Sequence, residues 1–151
     1  MPIFDGSNTR EYLERLYMSP LMQSRVQEFI AEFQAAIGSP PEFMFVENPT
    51  DALGGVEFSN LILLSGKMYM EFSLNQPNRT VTFLNIDRVT NRVVMSNIQQ
   101  ASFYGQFTES SRLTVQIFTG LQAIGFFEAS GDNCGDLLEM TKRYFVPAIS
   151  G

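Results

Sequence analysis

Histidine and tryptophan are absent from the 151 residues of this chain, and cysteine occurs once, at Cys134. Each absence removes chemistry. Without histidine there is no Ser-His-Asp or Cys-His nucleophile system. A histidine metal site is excluded for the same reason, and one thiol cannot build a thiolate zinc site, so no metal centre is expected. Any general base has to be a carboxylate, a tyrosine, a lysine or a water held by backbone. A single cysteine forms no internal disulfide, which fits a reducing compartment, and a cytoplasmic location is expected. Basic charge is scarce as well: 10 Lys and Arg against 16 Asp and Glu leave a net charge of −6. That balance argues against a nucleic-acid partner, which needs a basic footprint. Long apolar runs are missing, so no membrane span is expected. The opening residues Met1-Pro2-Ile3-Phe4-Asp5-Gly6 lack the basic and apolar regions of a signal peptide.

What is present suits a folded domain. Hydrophobic residues make up 44% and charged residues 17%, too apolar for a disordered chain and enough to bury a core at this length. The patterning predicts a single α+β domain. Its sheet is mainly antiparallel, with N-terminal helices and two C-terminal helices packed on it. The expected order is a helical part over 1–40, a strand meander over 43–98 and a helix–strand–helix over 101–151.

In the helical part, Thr9 can cap a first helix carrying Tyr12, Leu13, Leu16 and Tyr17. Ser19-Pro20 reads as the N-cap and first position of a second helix. Met22, Val26, Phe29, Ile30, Phe33 and Ile37 then recur at helical spacing, and Gly38 with Pro40-Pro41 ends the run. Strands are predicted over 56–64, 67–74, 80–89 and 92–98, with a hairpin signal at Ser65-Gly66. Four strands in sequence with short loops predict an antiparallel meander. Further on, Leu113, Ile117 and Leu121 are spaced along one side of a predicted helix over 108–123, stopped by Gly125. A short strand over 126–129 and a helix over 137–144, closed before Pro147, complete the chain.

The segments Gly105-Gln106-Phe107-Thr108, Gly125-Phe126-Phe127-Glu128 and Asn133 with Lys142-Arg143-Tyr144-Phe145-Val146 give a glycine turn, helix, strand, asparagine turn and helix. This order resembles the C-terminal half of the GNAT superfamily of acyl-CoA N-acyltransferases. The turn departs from the family pattern at Phe107, where a small residue is usual, and at Ser102, where Gln or Arg is usual. The resemblance implies acyl transfer from acetyl-CoA to a small-molecule or protein amine. It implies a cofactor site at Gly105, Gln106, Phe107, Thr108, Ser110, Ser111 and Arg112, with Asn133 beside it.

Such chemistry needs no histidine. A base or water chain takes a proton from the amine, donors stabilise the thioester oxygen, and an acid protonates the leaving thiolate. Asp87 and Glu71 are the candidate bases, with Glu128 a third, and Tyr144 and Tyr104 are the candidate acids. Free N–H groups at the start of the predicted helix would hold the pyrophosphate. Simpler readings stand beside these. Thr108 with Glu109 is also an ordinary helix cap, Asp87 also pairs with Arg88 or Arg92, and Cys134 is also a small packing residue.

Fourteen phenylalanines and eight methionines are many for this length, and most are expected to fill the core between sheet and helices. Met44, Met68, Met70 and Met95 can line an adaptable apolar surface. A second reading follows: a non-enzymatic ligand- or protein-binding module, compatible with a homodimer. The first fifty residues carry seven acids against three bases, which suits a basic protein partner.

Overall fold

The computed structural model describes residues 4, 6–16, 18–47, 50–52, 55–57, 60–73, 81–86, 90, 92–98, 111–131 and 133–150. The chain is α+β and its sheets are antiparallel. Its contacts gather in two compact units, residues 1–84 and 85–151.

The first unit opens with α1 (Thr9–Arg15) and α2 (Pro20–Ile37). Asn8, not Thr9, is the N-cap of α1. The α2 boundaries match the sequence expectation. Ser19 Oγ accepts a hydrogen bond from Met22 N at 3.2 Å, Pro20 takes the first turn, and Gly38 closes the helix at φ 92°. That left-handed conformation is why glycine stands there. Val26, Phe29 and Phe33 are buried, with Met22, Ile30 and Ile37 packed partly against the same core.

Strands β1 (Phe43–Glu47), β4 (Asn60–Ser65), β5 (Met68–Ser73) and β6 (Val81–Asn85) form one sheet in that spatial order. Between β1 and β4, β2 (Thr50–Ala52) and β3 (Gly55–Glu57) make a separate two-stranded ribbon. The strand expected over 56–64 is therefore two strands serving different sheets. A two-residue turn, Gly66-Lys67, joins β4 to β5, and Gly66 has φ 58°. Glu42 Oε1 holds this turn by accepting from Gly66 N at 3.1 Å and Ser65 Oγ at 3.2 Å.

One face of the sheet carries Met44, Val46, Leu61, Leu63, Met70 and Phe72, which share a core with Tyr12, Leu13, Val26, Phe29 and Phe33. Phe29 stacks on Phe72 with ring centroids 4.4 Å apart. Tyr12 donates its hydroxyl proton to the Met44 carbonyl at 3.2 Å, so its buried oxygen is satisfied.

The second unit is a three-stranded sheet, β7 (Arg92–Ile98), β8 (Arg112–Thr119) and β9 (Gln122–Ser130), in that order. Two sequence expectations fail here. The predicted four-strand meander stops after β6. The strand expected over 80–89 ends at Asn85, and Ile86 O accepts a hydrogen bond from Thr90 N at 3.1 Å. Its expected neighbour β7 pairs with β8 instead. The helix predicted over 108–123 is also absent from 112–123, where the chain forms the β8–β9 hairpin. The Leu113/Ile117 spacing fits both periods, because Val115 lies between them and is buried with them. Leu121, which the helix reading set on one side with Leu113 and Ile117, is 96% exposed at the hairpin tip beside Gly120 at φ 62°. Gly125 ends no helix. It lies inside β9 next to a bulge, opposite Ile117.

The chain closes with α3 (Asn133–Met140), a π turn over Thr141–Phe145, and α4 (Val146–Ser150). The helix expected to stop before Pro147 runs through it. Val146 N bonds to Thr141 O, five residues back, a register change of the kind a π bulge introduces. Proline brings no N–H to satisfy at the start of the next helical segment. Leu137, Leu138, Met140, Tyr144 and Phe145 are buried from this run, and Phe145 lies 5.9 Å from the Phe127 ring of β9.

Candidate functional site

In the first unit, strand alternation places Phe43, Phe45 and Glu47 on the sheet face away from α1 and α2. Asn60, Ile62 and Leu64 of β4 share it, as do Tyr69 and Glu71 of β5. The apolar members are fully buried, and Glu47 is only 4% exposed. A carboxylate that deep needs a donor, and Asn60 Nδ2 supplies one to Glu47 Oε1 at 3.0 Å. Tyr69 hydrogen-bonds to Glu71. Burial pushes the Tyr69 phenol well above its usual pKa, and the Glu71 and Glu47 charges push it the same way. Burial also raises Glu71, and the Tyr69 hydrogen bond partly opposes the shift. Glu71, a candidate base from the sequence, is thus half-buried with enhanced proton affinity, and its partner phenol stays protonated. Among the described residues, no three His, Cys, Asp or Glu side chains gather as a metal site requires.

The other candidates are dispersed. Asp87, Gly105, Gln106, Phe107, Thr108 and Ser110 lie outside the described residues, as do Tyr104 and Glu109. Ser111 precedes β8 and is buried; its carbonyl accepts from Gly131 N at 2.9 Å and from Cys134 Sγ at 3.6 Å. The structure therefore sets Ser111 against the turn that leads into Asn133, which is buried at 4% exposure. Both are packed inside the second unit, not presented at a surface. Arg112 is exposed as the first residue of β8, opposite Ser130 on one side and Ile98 on the other. Residues 112–119 take part in strand ladders, so the helix expected to aim free N–H groups at a pyrophosphate does not run through them. Tyr144 is buried in the π turn, with the Arg143 guanidinium 5.5 Å from its ring centroid. Glu71 belongs to the first unit and Tyr144 to the second.

A surface that the sequence reading missed lies on the second sheet. Leu113, Val115, Ile117, Phe127 and Ala129 face inward and are buried. The alternate residues face outward in rows set by the pairing. Arg92, Phe118 and Ala123 form one row, Val94, Gln116 and Phe126 the next, and Ser96, Thr114 and Glu128 a third. In the first row the Arg92 guanidinium sits 4.2 Å from the Phe118 ring centroid, a favourable cation–π arrangement. In the second, Phe126 is 50% and Val94 36% exposed. The adjacent Phe126-Phe127 pair carried the signal: neighbours in a strand point to opposite faces, so one ring must leave the core. Glu128, the third candidate base, is exposed on this outward face.

No helix among the described residues is long and apolar enough to cross a membrane. Comparison with known proteins yields no matching family, no matching curated protein and no matching solved structure.

Proposed function

We propose that this chain is a non-enzymatic binding module that associates with a second copy of itself through the outward face of β7–β8–β9. The observation that carries the reading is the row Val94–Gln116–Phe126, which leaves a half-exposed phenylalanine and an exposed valine on either side of Gln116 on an open sheet face. Phe118, partly exposed in the adjacent row, adds a third apolar side chain to the same face, and apolar side chains gathered on one open face mark contact sites. A two-fold axis along β8 would lay Val94 of one copy on Phe126 of the other and set Gln116 against its own counterpart. Sheets pack face to face with nearly aligned strands in the same manner. Three strands and three rows cover roughly 300 Å² per copy at ordinary sheet spacings. The total falls below the range of stable interfaces, so the association is weak and concentration-dependent. Light scattering should show dimer at roughly 100 µM protein and monomer at about 1 µM. Phe126→Asp should hold the chain monomeric throughout. A wild-type monomer at the higher concentration would overturn this reading. The single, buried Cys134 suits a reducing cytoplasmic setting.

Acyl-CoA-dependent N-acyl transfer is the second reading, and Glu71 is the observation that favours it. A half-buried carboxylate with raised proton affinity is the group an amine would require as base. Millimolar acetyl-CoA would then raise the melting temperature, because a ligand specific to the folded state stabilises it by mass action. No shift at that concentration removes this reading.

A further inference from the structure

We draw no further inference here: the strongest candidate, the Glu47–Asn60–Tyr69–Glu71 cluster on one face of the first sheet, is a group of acidic and polar side chains hydrogen-bonded among themselves, and nothing in the structure points to a ligand for it.

Discussion

The two larger sheets bury their strands differently. In the first unit, β1 and β4 have no exposed face: Phe43, Phe45, Ile62 and Leu64 are buried on one side, and Met44, Val46, Leu61 and Leu63 on the other. In the second, β8 alternates, with Leu113, Val115 and Ile117 buried and Thr114, Gln116 and Phe118 only partly covered. The sequence carries this distinction as continuous apolar runs over 43–46 and 61–64 against an alternating run over 112–119. Continuous runs belong to strands covered on both faces and alternating runs to strands covered on one. Charge follows the same division: the first unit holds ten acids and five bases, the second six and five. The nearly balanced second unit is the one able to bring two copies together without strong mutual repulsion.

The largest test of this contrast substitutes one phenylalanine in each unit. Phe72 is fully buried and stacked on Phe29. Phe72→Ala should cost about 3–5 kcal/mol through lost transfer energy and a residual cavity. Phe126→Ala removes a ring that is already half in water and should cost about 1 kcal/mol, half of what full burial of the ring contributes. Urea denaturation at low protein concentration, where monomer dominates, measures both. Equal losses would mean that the outward face of the second sheet is covered, and the contrast would collapse.

A smaller effect separates strand from helix over 112–119. As a strand, this segment buries Val115 together with Leu113 and Ile117. As a helix it would turn Val115 away from them and bury Leu121. Val115→Ala should therefore cost about 2 kcal/mol. Leu121→Asp, at the hairpin tip, should lie within about 0.5 kcal/mol of wild type. The helical arrangement requires the reverse order.

That segment also shows where the sequence was legible. α2 was readable at both ends because its stop and start signals are local: a serine cap, a proline and a left-handed glycine. The β4–β5 hairpin was readable from Ser65-Gly66 for the same reason. Residues 113–121 were not, because leucine and isoleucine four apart satisfy both periods and the decision rests on partners in β7 and β9. Sheet membership was equally hidden. Nothing local in Arg92–Ile98 says that it pairs forward with β8. Of the candidate site, Glu71 was legible as a strand carboxylate. Its partner Tyr69 and the buried Glu47–Asn60 pair became visible only once cross-strand register was known. The outward row with Phe126 required the register of all three strands.

The smallest effect concerns Glu71 and the cost of two-sided burial. Burial raises its pKa, so the folded chain holds a proton where the unfolded chain, with glutamates near 4.3, has released it. With more protons bound to the folded state, stability falls as pH rises from that unfolded value through the raised folded one. Above the folded value the loss is complete. Glu71→Gln keeps an acceptor for the Tyr69 hydroxyl and removes the titration. At the acidic end, below both pKa values, variant and wild type should melt together. As pH rises the variant should gain a growing advantage in Tm that levels off toward neutrality. The advantage is small because Glu71 is only half-buried and water screens its charge. An advantage that does not change with pH would mean that the gain comes from packing. A disadvantage that grows with pH would mean that the ionised carboxylate is the stabilised form, held by donors stronger than Tyr69, and that this face of the first sheet is polar where its neighbours Ile62 and Leu64 are apolar.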